Sequence, residues 1–336
     1  MSADLCGSMA LMRLKVLLAA SFALLLLLLA GIGVALNWRP LLPVGGEVRP
    51  AMQPVAEAGL LQAQFFGTST LLISDGATRL MCDGFFSRPS WLRLLATPLE
   101  PDEARIQSAL AKGGVTTLDA VFVAHSHHDH AMDAGRVAAK TGALLYGSES
   151  THQIARGDGL APEQMRLLQP GRAQVIGSFR LTAFETPHSP EPVFPGFITA
   201  PFKFPARLSQ FKEAQSYSFL LEHARGNLLI VPSANYRPGA FAGVKADTVV
   251  LGIGGLGRQP NDFVQAYWRE TVVQTGAKRV IPVHWDDFGL GLDEPLQAMP
   301  YALDRVDLSL SRLQELAASH GVEVQMPRAF MRFQLP

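Results

Sequence analysis

The sequence is poor in cysteine and has no excess of either charge, and each shortage removes a class of function. Cys6 and Cys82 are its only cysteines. They lie on opposite sides of a long apolar run, and no Cys-x-x-Cys pair occurs. Neither a disulfide framework nor a thiolate zinc site can be built from them. Lys plus Arg equals Asp plus Glu at 29 each. No basic surplus is left to neutralise phosphates, so nucleic acid is not an expected partner. A Gly-x-Ser-x-Gly elbow, the usual sign of an α/β serine hydrolase, is also missing. Charged residues are only 17% of the chain against 48% hydrophobic. That balance supports a sizeable core and argues against wholesale disorder.

What is abundant is aliphatic, and it is concentrated at the N-terminus. Val16 to Leu36 carries no charge, and Arg13 and Lys15 stand just before it. A run of about 20 apolar residues at ~1.5 Å each spans a hydrocarbon layer of about 30 Å. It reads as an uncleaved signal anchor. A cleaved secretory signal is the alternative, with small residues at Gly33-Val34-Ala35. Basic residues ahead of the span place the rest on the extracytoplasmic (periplasmic) side, anchored to the inner membrane or secreted after cleavage. Residues 37–56 hold Pro40, Pro43, Gly45, Gly46, Pro50 and Pro54 and read as a stiff polar linker. Residues 57–336 are then the globular domain.

Within it, Leu60–Phe66, Thr70–Ser74 and Arg79–Cys82 read as short strands with turns at Gly67 and Asp75-Gly76. Glu103–Lys112 reads as a helix ending at Gly113-Gly114. Leu118–Ala124 is a continuous Val-rich apolar run, as expected of a buried strand. Ala131–Lys140 reads as a helix and Ala143–Tyr146 as a strand. Further strands are expected at Phe179–Phe184, Ser216–Glu222, Asn227–Val231, Thr248–Leu251 and Arg279–Val283, with helices at Phe263–Thr275 and Leu308–Ser319. Strand clusters alternating with single helices suit two packed sheets with helices outside, a four-layer α/β sandwich.

The chemistry concentrates in His125-Ser126-His127-His128-Asp129-His130. This run follows the buried strand Leu118–Ala124, at the strand end where α/β folds place their sites. Imidazole and carboxylate are donors for Zn²⁺, with Mn²⁺ and Fe²⁺ as alternatives. His-x-His puts two imidazoles on one side of an extended segment, suited to one cation. Asp129 and His130 then project toward a second position.

This run resembles the His-x-His-x-Asp-His signature of the metallo-β-lactamase superfamily. The nearest likeness is to its UlaG-like and N-acyl-phosphatidylethanolamine phospholipase D-like hydrolases, over about residues 60 to 330. The resemblance implies the four-layer fold and a metal-bound hydroxide as nucleophile. It points to two later histidines at strand ends, His188 after Phe179–Phe184 and His284 after Val280–Val283. By carry-over, His125, His127 and His188 hold one metal, and Asp129, His130 and His284 a second. Asp129 would also orient the nucleophile or take its proton. One motif departs. The family's bridging Asp falls here at Leu228–Asn235, where Ser233 takes the expected slot and Asn235 is the nearest other oxygen donor. Both are neutral, which weakens the second position and leaves one or two ions open. The expected activity is hydrolysis of a phosphodiester, lactone or ester, small or lipid-like. The rival reading is a metal-binding chain of the same fold without hydrolytic activity.

Several features compete with that reading. Gly252, Gly254 and Gly257 match Gly-x-Gly-x-x-Gly, but too little chain follows for a dinucleotide domain. A glycine loop passing close to the metals explains them better. Pro190–Phe211 is rich in Pro and Phe and leaves a metal ligand directly. It reads either as a lid, able to meet lipid, or as an insertion packed on the core. His128, at the variable signature position, is expected to face solvent. His152, His223 and His320 are expected at the surface or in structural roles, and Cys82 as a buried apolar residue. Asp133, Asp286 and Asp287 are placed to accept from ligand imidazoles.

Overall fold

The computed structural model describes residues 2–42, 60–190 and 193–335. Most of the expected linker, residues 43–56, lies outside them. The chain opens with α1 (Ser2–Asn37), one uninterrupted helix. Its Met12–Asn37 stretch is long and apolar enough to cross a membrane, and none of that span's apolar core is buried against protein. Length and composition of this kind suit a membrane anchor or a signal sequence. Where the linker was expected to begin, residues 38–42 are instead docked on the domain. The Trp38 carbonyl accepts from Tyr301 N at 2.9 Å, and the two rings meet edge to face at 5.2 Å.

The first half of the domain contains β1 (Gln62–Phe65), β2 (Leu71–Ser74), β3 (Arg79–Cys82), α2 (Trp91–Ala96), α3 (Glu103–Gly113), β4 (Ala120–Phe122), α4 (His128–Ala131), α5 (Ala134–Thr141), β5 (Leu144–Gly147), α6 (Glu149–Gly157) and β6 (Met165–Leu167). The second contains β7 (Gln174–Ile176), β8 (Phe179–Glu185), β9 (Tyr217–Glu222), β10 (Leu228–Val231), β11 (Thr248–Gly252), α7 (Asn261–Trp268), β12 (Arg279–Val283), α8 (Val306–His320), β13 (Glu323–Val324) and β14 (Arg332–Gln334). They form two seven-stranded sheets, ordered β14-β1-β2-β3-β4-β5-β6 and β13-β12-β11-β10-β9-β8-β7. In each, four strands run antiparallel and the remaining pairings, from β3 through β6 and from β10 through β13, are parallel.

The continuous apolar run at β4 follows from burial of both its faces. Ala120 and Phe122 point between the sheets, and Val121 and Val123 point to the layer of α3, α5 and α6. On the far side, Tyr267 and Trp268 of α7 and Leu310, Leu313 and Ala317 of α8 cover the second sheet. The result is the expected four-layer arrangement. Local rules hold at α3: Asp102 caps its first turn and Gly114, at φ 67, ends it in the left-handed region.

The helix expected at Ala131–Lys140 starts earlier and breaks. α4 begins at His128, and Asp133 separates it from α5. The helix expected at Phe263–Thr275 passes from α7 into a π-helical turn, Arg269–Val273. Short elements such as α2, β6 and β13 are too brief to show a periodicity that could be read in advance.

The two sheets meet at Phe122 and Phe219, whose rings pack edge to face at 4.8 Å. Phe122→Ala should lower stability by about 3–5 kcal/mol, measured as a shift in urea midpoint.

Candidate metal centre

The site forms where the two sheets' strand ends face each other. β4 delivers His125 and His127 from its exit loop, and α4 supplies Asp129 and His130 from its first turn. His188 follows β8 and His284 follows β12. These residues, far apart in sequence, converge as two three-donor groups, His125–His127–His188 and Asp129–His130–His284. Within each group the donor atoms lie within 4.8 Å of one another.

Ring by ring, the hydrogen bonds divide the nitrogens. His127 Nε2 donates to the Val193 carbonyl at 2.7 Å, which leaves Nδ1 unprotonated in the neutral ring. That Nδ1 is 3.1 Å from His125 Nε2. Two imidazole nitrogens on one tetrahedral zinc lie about 3.3 Å apart, so the pair suits a shared cation. His130 Nδ1 is 2.9 Å from Asp83 Oδ2, and its Nε2 is buried without a partner. Asp129 Oδ2 lies 3.6 Å from that Nε2 and 3.2 Å from His284 Nε2. Unpaired polar atoms in a buried cluster are costly unless something satisfies them, and a divalent cation fits this donor set.

Electrostatics agree. Burial, then the neighbouring imidazoles, hold His125 well below the ordinary histidine range. Burial lowers His127 and takes His188 down to about 3. These rings are therefore neutral, the form that donates to a metal. Burial opposes the charge on Asp129, but His130, His128 and His284 outweigh it and hold the carboxyl well below its usual value. Burial also opposes protonation of His130, but Asp83 and Asp129 more than compensate.

Asp83 is the residue that sequence reasoning missed. It is fully buried, with Oδ1 accepting from Ala124 N at 2.8 Å and Oδ2 from Ser69 Oγ at 2.5 Å. It thus holds both the ligand-bearing strand end and the His130 ring. A carboxylate directly after β3, beside β4, was the available signal. Asp133 was expected in this role and does not fill it. Its carboxylate accepts from Phe86 N, Ser87 N and Ser87 Oγ, pinning the loop after β3.

Asp286 and Asp287 also do not reach an imidazole. Asp286 pairs with the fully buried Arg88 at 2.6 Å and accepts from Thr68 N. The Thr68 carbonyl in turn accepts from His284 N at 2.6 Å. Thr68, Asp83, Arg88 and His284 all have positive φ, at 52°, 60°, 40° and 60°. Non-glycine residues seldom take that conformation, and strained backbone collects at functional sites.

Ser233 lines the cavity beside His127 and Asp129. Asn235 does not serve there: its side-chain oxygen accepts from Tyr236 N. His128 is a correction, being buried with its ring edges toward Phe85, Phe211 and Phe288. Burial pushes it down to about 4. His152 is structural, bonded to the Arg166 carbonyl. His223 lies 3.4 Å from Asp75, and His320 closes the α8 end through Leu316 O. Cys82 is fully buried.

The glycine loop is explained by contact. A Cβ on Gly254 would sit 2.9 Å from His284 Nδ1, and one on Gly252 2.2 Å from Pro232 O. The 190–211 segment divides its labour. Val193 and Phe194 line the cavity, while Ile198, Phe202, Ala206 and Phe211 join the core beside α6.

Comparison with known proteins matches this geometry. Residues 63–206 match the family model described as the metallo-beta-lactamase superfamily. A UPF0173 metal-dependent hydrolase of Myxococcus xanthus (strain DK1622) is 27% identical over 275 residues, 78% of this chain and 82% of that protein. Among solved structures, the metallo-beta-lactamase fold protein YhfI from Bacillus subtilis matches with TM-score 0.51 at 14% identity, covering 82% of this chain and 100% of that one. The chain has the metallo-beta-lactamase fold. Igni18, a novel metallo hydrolase from Ignicoccus hospitalis, matches with TM-score 0.51 at 11% identity, over 82% of this chain and 99% of that one.

Metal centres of this kind depend on the groups behind the ligands, at about 10–100-fold in affinity. Asp83→Asn should weaken cation binding by that factor while His130 is still present, read by competition with a chromophoric chelator.

Proposed function

We propose that this chain is a metal-dependent hydrolase of the superfamily. His125, His127 and His188 would hold one cation, and Asp129, His130 and His284 a second, weaker one. The observation that carries the reading is the pair of largely buried three-donor groups, in which His130 Nε2 has no hydrogen-bond partner. Zn²⁺ is the expected ion, with Mn²⁺ or Fe²⁺ as alternatives. When bound, such a cation supplies Lewis acidity and brings the pKa of its water near neutrality.

The protein's own groups do the rest. Asp129, held as a carboxylate by the surrounding imidazoles, accepts a proton from the attacking water and orients it. Asp83 and the Val193 carbonyl fix the His130 and His127 rings. Trp91, Leu94, Phe194, Leu208, Phe211 and Phe288 wall a cavity of about 260 Å³ and keep bulk water from the reacting group. Among the described residues, Asp129 is the one carboxylate in the two donor groups, and Ser233 is neutral. The loaded site therefore keeps a positive excess, which favours an anionic phosphodiester over a neutral lactone or ester. The apolar walls favour a lipid-like one. The positive excess and the apolar walls support our assignment of the chain to the UlaG-like and N-acyl-phosphatidylethanolamine phospholipase D-like branch. We place residues 57–336 on the extracytoplasmic side, with α1 kept as an anchor.

The neutral Ser233 also favours a second reading, a metal-binding chain without turnover. Purified wild type should contain metal and hydrolyse bis-p-nitrophenyl phosphate, and His127→Ala should lose at least 100-fold of that rate, roughly the cost of removing one catalytic-site group. Metal without turnover on phosphodiester and lactone panels selects the second reading, and metal-free protein overturns both.

The pH dependence follows from burial. Protons compete with the cation for His125, His127 and His188. Because burial lowers all three, they stay neutral below the usual histidine range. Metal content after dialysis should persist at about pH 5, where solvent-exposed histidines (pKa ~6.5) would be protonated, and fall only under more acid conditions.

A further inference from the structure

The cavity is rimmed by apolar side chains that the domain leaves in solvent. Trp91 and Leu94 of α2 line the cavity, and the same short helix exposes Leu92 and Leu95 at 77% each. Cavity-lining Val193 is 45% exposed, and Phe197, four residues on in the same segment, 63%. A recess that shares His188, Val193, His284 and Phe288 with the main cavity ends on Leu303, also partly exposed. Isolated surface leucines need no explanation, but several exposed apolar side chains next to residues that line a concave site mark an interaction surface. Arg93 and Arg207 stand exposed beside the cavity-lining Leu94 and Leu208, suited to anionic headgroups.

The occupant of that surface is indicated by where α1 leaves the domain. Asp287 holds two elements at once. Its Oδ2 accepts from Arg39 at 2.6 Å, and its Oδ1 accepts from the Trp91 indole at 2.8 Å. Arg39, two residues after the end of α1, also donates to the Ala298 carbonyl. Trp38 packs on Tyr301, two residues from Leu303. The exit of the apolar helix is thus tied to the helix that carries the rim, through one buried carboxylate. Trp38 and Leu41 themselves remain largely exposed, in keeping with an interfacial position.

We propose that the rim formed by Leu92, Leu95, Val193 and Phe197 rests in the lipid surface of the same bilayer that α1 spans, so that the cavity opens onto lipid. This rests on α1 remaining attached. The substrate class that fits is then a membrane phospholipid or similar amphiphile, entering head first from the lipid while its acyl part stays among the rim side chains.

The test uses the full chain in phosphatidylcholine–phosphatidylglycerol vesicles. Leu95→Cys and Phe197→Cys, each with Cys6→Ser, are labelled with the fluorophore NBD and compared with Val175→Cys, an exposed position on β7. Nitroxide-bearing lipids should quench the labels at 95 and 197 several-fold more than the label at 175. Equal quenching at all three positions overturns the proposal, whatever the chain hydrolyses. In parallel, the double variant Leu92→Glu, Leu95→Glu should lose about tenfold or more of its turnover of a vesicle-borne phosphodiester, the effect of one lost leucine contact. Its rate on soluble bis-p-nitrophenyl phosphate should be unchanged. An equal fall on both substrates overturns the proposal. Absence of hydrolysis in the wild type removes the hydrolase reading and leaves the quenching result to decide the rim.

Discussion

The site depends on a buried ion pair that touches no donor atom. Arg88, from the loop after β3, and Asp286, from the loop after β12, meet with no exposure to solvent. Arg88 also donates to the Leu290 and Asp287 carbonyls. Burying two charges is costly, and removing one of them from such a pair typically costs about 3–5 kcal/mol. What the pair secures is registry between the two halves of the domain. Asp286 holds Thr68, and Thr68 holds the His284 backbone. His284 thereby reaches Asp129 and His130, which belong to the other half. Three left-handed non-glycine residues, Thr68, Arg88 and His284, lie along this chain of contacts, so the packing around it must outweigh their strain.

Much of this was legible before any coordinates. The strand end at His125 could be found because a buried strand announces itself as an apolar run, and His188 and His284 because the family resemblance pointed to histidines at later strand ends. Of the elements buried on both faces, β11 was read almost to the residue, and β4 was expected two residues too long at each end. Three things were not legible. The Arg88–Asp286 pair joins positions 198 apart, and no local pattern couples them. His128 lacks any local sign that aromatic rings from three separate segments would enclose it. Asp133 and Asp83 are both aspartates near the ligand run, and only the fold decides which carboxylate faces an imidazole. The glycine at 254 was correctly read as a matter of space, since its neighbour is the His284 ring.

In the proposed centre, neutral Ser233 stands where the family resemblance expects a bridging carboxylate, and the two positions are unequal. The first donor group is three neutral imidazoles, and the second has one carboxylate. The first needs no bridging anion to assemble. Both donor groups contribute side chains to one largely apolar cavity.

The hold on His127 is made by a main-chain atom, the carbonyl of Val193. Any residue at 193 supplies that oxygen. Side chains along the segment can therefore drift, and with them the shape of the cavity wall, without disturbing the imidazole behind it. A change of one residue in the segment's length is different, because it moves the carbonyl itself. Selection on this loop should accordingly tolerate substitution and resist insertion. That separation lets one metal centre serve relatives with different preferences for what enters the cavity.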